Sequence, residues 1–128
     1  EDMDPSMSFI KLMMIDAPDV LDAAIARLPS ELTERFAVLK SAPFFLEVFD
    51  RRAGKGPSLQ KLAEHLGIDR ANVMAIGDQE NDLTMLQYAG TSVAMGNAID
   101  AVKAVARFET TSNADEGVAR AIERFVLQ

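Results

Sequence analysis

The feature that most constrains the fold of this chain is an apolar stretch that runs directly into a glycine and a carboxylate, in the segment VMAIGDQENDL at residues 73–83. The apolar residues from Val73 to Ile76 predict a buried strand, and an amphipathic segment from Leu83 to Tyr88 follows. Two carboxylates, Asp78 and Asp82, therefore lie four residues apart at the end of a strand. Because open α/β sheets bind ligands at the carboxyl ends of their strands, the pattern predicts an α/β fold with its chemistry at that edge.

The second part of the chain, from Pro57 onward, is predicted to alternate helices and strands with short connections. Such alternation is typical of parallel strands joined by right-handed crossovers. The predicted strands are 73–76, 92–95 and 108–110, and helices precede, separate and follow them. Apolar faces are predicted for the first helix, which ends at Gly67, and for the last, which begins near Gly117: they comprise Leu59, Leu62, Ala63 and Leu66, and Val118, Ile122 and Phe125, respectively.

The first part of the chain, residues 9–49, is predicted to form a smaller β-α-β-β unit. Its first strand runs from Phe9 to Ile15. Pro18 suits the first turn of a helix, where its missing N–H costs little. Ser30 is predicted to be the N-cap of a second, short helix that ends at Arg35. Two further strands, at 37–40 and 44–49, complete an α+β unit. The first strand alternates apolar residues with others along its length, with Ile10, Leu12 and Met14 on one side and Lys11 and Met13 on the other.

A change of composition at residues 50–57 predicts the boundary between the two units. Six of these eight residues are charged or glycine. Residues 1–50 and 51–128 are therefore interpreted as separate units. The acidic start of the chain, with Glu1, Asp2 and Asp4, is expected to be a solvated tail rather than a metal site.

The overall charge and the amino-acid composition exclude several classes of function. The formal net charge of −7 argues against a nucleic-acid or anionic-membrane partner, because both require basic surfaces. The sequence has no cysteine, so a thiolate nucleophile, a disulfide framework and a Cys-ligated zinc site are all excluded. The sequence also lacks a signal-peptide pattern and a long uncharged apolar run, which makes a cytoplasmic location the expectation.

The strongest candidate residues for chemistry are Asp78, Asp82 and the asparagine between them, Asn81. Carboxylates in this position suit Mg²⁺, a hard cation that prefers oxygen ligands and keeps several waters. Asp78 is predicted to bind the metal directly, and Asp82 to orient metal-bound water or a nearby lysine. The amide of Asn81 is predicted to donate to a phosphate oxygen. The alternative is a strand-to-helix turn in which Asp78 and Asn81 only cap backbone N–H groups.

Two further residues are predicted to contribute to the same site. Lys55 lies between two glycines just before a helix, where its ammonium has room to contact a phosphate. The alternative for Lys55 is a solvated loop lysine. Asn97, in the turn after the next strand, offers an amide to the same edge of the sheet, although Gly96 beside it is explained by a backbone requirement alone. The one histidine, His65, is predicted to be a surface residue rather than a general base.

Several segments of this sequence together carry a family resemblance. They are the segment GDQENDL at 77–83, the preceding Lys55, AMGNA at 94–98, MIDAP at 14–18, KSAPFFLE at 40–47 and NADEGVA at 113–119. This combination resembles the haloacid dehalogenase-like (HAD) hydrolases, and most closely the Cof-type sugar-phosphate phosphatases of the YidA-like branch. The resemblance extends from about Phe9 to Leu127. It implies an α/β fold in which a partial Rossmann-like core of parallel strands and helices, residues 51–128, is preceded by part of an α+β cap domain, residues 1–50.

The same resemblance implies a Mg²⁺-dependent phosphatase that acts on small phosphorylated metabolites such as sugar phosphates. In that family an aspartate attacks phosphorus, and water hydrolyses the aspartyl-phosphate. By position, Lys55 matches the family lysine, Asp78 the metal-binding aspartate and Asp82 the second acidic residue. Asn81 matches an asparagine close to the phosphate. Asp78 and Asp82 are thus the expected metal ligands, Lys55 and Asp82 the expected catalytic residues, and Lys55, Asn81 and Asn97 the expected phosphate-binding residues.

The sequence departs from the family pattern at the nucleophile. The family motif Asp-x-Asp-Gly-Thr does not occur in residues 1–128. The chain therefore resembles the C-terminal portion of a phosphatase and is expected to be inactive alone. Without its neighbouring strand, the strand at 73–76 is expected to favour self-association or pairing with a missing N-terminal core segment. The alternatives are a non-catalytic module that binds Mg²⁺ and a phosphorylated ligand, and one half of a split enzyme. The phenylalanines of the sequence are interpreted mostly as core residues. The alternative for Phe44 and Phe45 is the lining of a substrate pocket, and with Glu47 they are the first cap positions to consider for substrate selection.

Overall fold

A computed structural model describes residue 6 and residues 8–127. The predicted acidic tail of Glu1, Asp2 and Asp4 lies outside the described residues. The chain divides into two compact units, one formed by the residues up to Arg51 and the other by those from Arg52 onward. The division falls inside the segment 50–57 where the composition changes. The interpretation of the two units as parts of a cap and of a core stays a prediction.

The first unit is a three-stranded antiparallel sheet with two short helices. Its elements are β1 (Lys11–Ile15), α1 (Pro18–Ile25), α2 (Ser30–Arg35), β2 (Phe36–Ala42) and β3 (Phe45–Asp50). The strand order is β1-β3-β2, so that β3 pairs with both neighbours. Its core is small because it depends mainly on Leu21 of α1 and Leu46 of β3, which are 2% and 0% exposed.

Two sequence-based expectations for the first unit are corrected. The alternation in β1 does not sort its residues into a buried and an exposed side, because all five are exposed on this edge strand. Ser30 is not an N-cap: it is the first residue of α2, and the extended backbone of Pro29 precedes it. Pro29, with its fixed φ, occupies the N-cap position, so Ser30 is the first helical residue.

The second unit is a parallel sheet with helices between its strands, as predicted. Its elements are α3 (Lys55–Leu66), β4 (Met74–Gly77), α4 (Leu83–Tyr88), β5 (Thr91–Ala94), α5 (Asp100–Val105), β6 (Phe108–Glu109) and α6 (Gly117–Phe125). The order is β4-β5-β6, with both pairs parallel. Gly67 follows α3 in the left-handed conformation, with φ of 66°, and ends the helix as expected. None of the helices among the described residues is long and apolar enough to cross a bilayer.

The first and last helices of the second unit, α3 and α6, bury small residues, whereas α4 buries Leu86 and α5 buries Val102. In α3 the buried residues are Gly56 and Ala63, whereas Leu62 and Leu66 are 54% and 58% exposed. The predicted apolar face of α3 is therefore only partly buried. The small residues allow α3 to approach α4 closely, which turns the larger side chains outward. In α6 the buried residues are likewise small, whereas Val118 and Ile122 are exposed.

The parallel sheet brings three loops together at the carboxyl ends of its strands. The N–H of Met95 donates to the carbonyl of Gly77 at 3.0 Å, which joins the loop after β5 to the end of β4. The N–H of Gly96 donates to the carbonyl of Thr111 at 3.0 Å and so joins that loop to the one after β6. The candidate residues of the sequence analysis therefore meet at one edge, as expected for an open parallel sheet.

Candidate functional site

Asp82 is the organising residue of this edge. Its side chain is 5% exposed. Its Oδ2 accepts the backbone N–H groups of Asp78 and Gln79 at 2.9 and 3.1 Å. Its Oδ1 accepts from the ammonium of Lys55. One buried carboxylate therefore shapes the loop after β4 and also pairs with the cation. Charge-assisted hydrogen bonds of this kind are among the stronger ones in proteins.

Lys55 is brought to the site by the first turn of α3. It is the first residue of the helix rather than part of a loop, and its ammonium pairs with Asp82. The alternative interpretation of Lys55 as a solvated loop lysine is therefore wrong about the loop, since the residue is helical and paired. Its side chain is nevertheless 48% exposed. Because an ammonium has three donors, two remain for an anionic ligand after the bond to Asp82.

Asp78 begins the loop after β4 and is half-buried. Its Oδ2 accepts from Nδ2 of Asn97 at 3.1 Å. Oδ1 of Asn97 in turn accepts the backbone N–H of Asn113 at 2.9 Å. Asn97 thus lies at the same edge of the sheet as Asp78, and one N–H of its amide is left over for another acceptor. The capping interpretation of Asp78 is wrong, because the backbone N–H groups of this turn bond to Asp82 instead.

Asn81 lies in a single 3-10 turn, Glu80–Asp82, between the two carboxylates. Its Oδ1 is buried and has no hydrogen-bond partner among the residues that the structure describes. A buried acceptor of this kind is satisfied by a donor outside the protein chain, such as water, or by a cation. The observation sets Asn81 apart from a capping residue, which would have a backbone partner.

The donor set at this edge fits Mg²⁺. Among the described residues there is no group of three or more His, Cys, Asp or Glu side chains around one point. A site with one or two carboxylates, completed by waters and substrate phosphate, is the arrangement that Mg²⁺ prefers. Asp78 would be the carboxylate that holds the metal, since both oxygens of Asp82 already accept hydrogen bonds.

The supporting roles of Gly77 and Asn113 do not follow from the sequence. A Cβ on Gly77 would lie 2.5 Å from Cβ of Asp82 and 2.8 Å from its Cγ. The glycine of the motif is therefore required by the close approach of the Asp82 side chain. The sequence shows a glycine directly before Asp78, but only the structure shows that the side chain of Asp82 occupies the space beside this glycine. Asn113 contributes its backbone N–H. Every residue except proline has this group, so the sequence does not point to it.

Gly77→Ala is expected to displace the carboxylate of Asp82 and to destabilise the second unit. Overpacking of a close contact typically costs about 1–3 kcal/mol. Urea denaturation measures the loss, and the amide signals of Asp78 and Gln79 in an NMR spectrum report the broken hydrogen bonds. Unchanged stability together with unchanged amide signals would show that the position of the Asp82 side chain does not require a glycine at residue 77.

The other candidate residues lie apart from this edge or within the first unit. His65 is exposed in the last turn of α3, as predicted for a surface residue. In the first unit Glu47 is buried at 8% exposure, where it accepts from Ser41 Oγ at 2.6 Å and pairs with Lys11 at 3.2 Å. Phe44 and Phe45 pack edge to face with 4.5 Å between ring centroids. Their role in substrate selection stays a prediction.

Comparison with known proteins identifies relatives over nearly the whole chain. Residues 1–122 match the family described as haloacid dehalogenase-like hydrolase. A candidate phosphatase of Bacillus subtilis, YxeH, is 47% identical over 117 residues, which are 91% of this chain and 43% of that protein. The phosphoglycolate phosphatase of Methanobrevibacter smithii is 47% identical over 89 residues, 70% of this chain and 38% of that protein.

Solved structures agree with the sequence relatives. A haloacid dehalogenase-like hydrolase from B. subtilis superposes with a TM-score of 0.84 at 32% identity, over 98% of this chain and 44% of that one. The match includes both units of the present structure. The chain thus spans less than half the length of each of these relatives.

Proposed function

This chain belongs to the haloacid dehalogenase-like hydrolases, and we propose that it carries the metal and lysine portion of a Mg²⁺-dependent phosphatase. The proposed reaction is the hydrolysis of small phosphate monoesters such as sugar phosphates. In the proposed site Asp78 binds Mg²⁺, Lys55 and Asn81 bind the phosphate, and Asn97 lies beside them. Asp82 contributes to catalysis by holding Lys55 and the metal loop in place.

The observation that carries the proposal is the shared use of the Asp82 carboxylate. One oxygen holds Lys55 and the other holds the backbone of Asp78 and Gln79. The Lys55 ammonium and the loop that carries Asp78 are therefore both held at one edge of the sheet by Asp82, without any ligand. Preorganised charges of this kind are what stabilise a transferring phosphoryl group. When bound, Mg²⁺ would supply Lewis-acid stabilisation of the phosphoryl oxygens.

The nucleophile of the proposed reaction is not assigned to any residue of this chain. The motif Asp-x-Asp-Gly-Thr does not occur in the sequence. We therefore propose that turnover requires a segment that carries this motif, and that the chain alone is inactive. The unpaired outer edge of β4, seen among the described residues, supports pairing with such a segment or self-association. The exposed Leu62 and Leu66 of α3 support the same proposal.

The test is a turnover assay with a panel of phosphate monoesters in the presence of Mg²⁺. It compares the 128-residue chain with the product of the whole open reading frame that encodes it. Turnover by the whole product and none by the chain is expected. Absence of phosphate release from every ester tested with the whole product would contradict the proposal.

A second candidate function is a non-catalytic module that binds Mg²⁺ and a phosphorylated ligand. The absent nucleophile motif is the observation that favours it. Calorimetry separates the two, since tight binding of a phosphate ester without turnover by the whole product would support the module. A split enzyme, in which another polypeptide supplies the nucleophile, is recognised by turnover that appears when the two polypeptides are mixed.

A further inference from the structure

The amide of Asn97 has an orientation that its partners fix chemically. Its Oδ1 lies 2.9 Å from the backbone nitrogen of Asn113, and its Nδ2 lies 3.1 Å from Oδ2 of Asp78. A backbone N–H can only donate, so the amide oxygen has to face Asn113. The amide nitrogen then has to face Asp78, where an ionised carboxylate can only accept. Exchanging the two ends of the amide would break both hydrogen bonds.

The loop that Asn97 contacts is itself firmly built. Within the segment 111–116, Thr111 Oγ1 donates to the carbonyl of Asp115 at 2.8 Å, and Ser112 Oγ donates to the carboxylate of Asp115 at 2.6 Å. Glu116 adopts a left-handed backbone with φ of 60°, which a residue with a side chain keeps only where its surroundings demand it. The Asn97 bridge therefore connects Asp78 to an ordered segment rather than to a free loop.

The turn that carries Asn97 packs against the same segment through its backbone. The N–H of Gly96 donates to the carbonyl of Thr111, and a Cβ on Gly96 would lie only 2.9 Å from the nitrogen of Ser112. The backbones of the turn and of the segment 111–116 therefore lie in close contact. Asn97 extends from this joint to the carboxylate of Asp78.

We propose that Asn97 is a positioning residue that ties the Asp78 carboxylate to the segment 111–116, so that cation affinity at Asp78 depends on this bridge. The proposal rests on the proposed metal role of Asp78. Among the described residues of the second unit, Nδ2 of Asn97 donates to that carboxylate. Partners of this kind fix the orientation of a metal ligand, and their loss typically weakens metal binding by about 10–100-fold.

The test measures Mn²⁺ binding to the 128-residue chain by electron paramagnetic resonance. Asn97→Ala removes the whole bridge and is expected to weaken binding by about 10–100-fold. Asn113→Pro removes the N–H that orients the amide, together with the Asn113 side chain, and is expected to weaken binding in the same direction. Proline is tolerated there because Ser112 is extended, with ψ of 170°, and Asn113 opens a helical turn. Asn113→Ala keeps the N–H and is the matched control with wild-type affinity.

Wild-type affinity in Asn97→Ala, with the chain folded by its NMR spectrum, would overturn the proposal. Wild-type affinity in Asn113→Pro would overturn the part that involves the segment 111–116. If the wild-type chain binds Mn²⁺ no more tightly than Asp78→Ala, the proposed metal role of Asp78 is what fails. The bridge can then be tested without metal, from the backbone amide signal of Asn113 in the NMR spectrum. When Asp78→Ala is introduced into the wild-type chain, this signal should shift. When Asp78→Ala is introduced into the Asn97→Ala variant, the signal should not shift. An Asn113 amide that is insensitive to Asp78→Ala in the wild-type background would contradict the bridge.

Discussion

Asp78→Asn is expected to abolish Mg²⁺-dependent turnover in the product of the whole open reading frame. The substitution keeps the size of the side chain, and an amide oxygen still accepts from Asn97, but it removes the negative charge that would hold a cation. Metal stabilisation of a phosphoryl transition state is worth several kcal/mol, so kcat/KM should fall by roughly 10³-fold or more. Steady-state kinetics over a series of Mg²⁺ concentrations measures the loss.

The matched control for Asp78→Asn is Glu80→Gln. It makes the same change of charge two residues away, at an exposed side chain in the same turn. Its kcat/KM should remain near that of the wild type. Turnover retained by Asp78→Asn at saturating Mg²⁺ would remove Asp78 from the proposed ligands. An equal loss in Glu80→Gln would show that the effect comes from the charge of the whole loop.

The position of the candidate site followed from the sequence because its main signals are local. A strand that ends in Gly77 and Asp78, within a run of alternating helices and strands, can only place those residues at the carboxyl edge of a parallel sheet. The two parallel strand pairs confirm that arrangement. Lys55 was harder to place, since it precedes the strand by a whole helix. Only the packing of α3 against α4 brings its ammonium to Asp82.

The sequence predicts that Asp78 binds the metal directly and that Asp82 orients metal-bound water or a nearby lysine, but it does not predict how Asp82 holds the loop. Spacing shows that Asp78 and Asp82 are four residues apart, but not which of them faces inward. In the structure the second carboxylate turns back to accept the N–H groups of the loop, which leaves the first for a ligand. The contact between Asn97 and Asn113 could not be predicted from the sequence either, because it joins two loops through a backbone N–H.

The outward leucines of α3 show a different limit of the sequence. Apolar spacing predicts a face, but the partner that covers the face is not encoded in the helix itself. In the described residues α3 uses Ala63 and Gly56 for contact, and Leu62 and Leu66 remain exposed. The same applies to β1, whose apolar residues lie on an edge strand that no further strand borders among the described residues. Both surfaces fit the proposal that the chain pairs with another segment.

Lys55→Ala is expected to lower kcat in the whole product by at least about 10²-fold while leaving the fold intact, because removal of a single preorganised donor typically costs that much. The ion pair joins a lysine that is 48% exposed to a carboxylate that is 5% exposed, so solvent screens the attraction at the lysine end only. Asp82 keeps two backbone N–H donors when the lysine is gone, so a modest fall in the urea midpoint is expected rather than loss of the fold.

The matched control is Lys61→Ala, which removes an exposed lysine from the same helix and should leave kcat unchanged. A rise in KM with unchanged kcat in Lys55→Ala would mean that the lysine binds substrate and transition state equally. A large loss of stability would instead assign Lys55 a structural role through Asp82. Because Asp82 keeps the N–H groups of Asp78 and Gln79 as partners when the lysine is gone, the metal loop should survive. Kinetics and urea denaturation of Lys55→Ala together distinguish two effects. The first is the positive charge that Lys55 offers to a phosphate, and the second is the support that Asp82 gives to the loop.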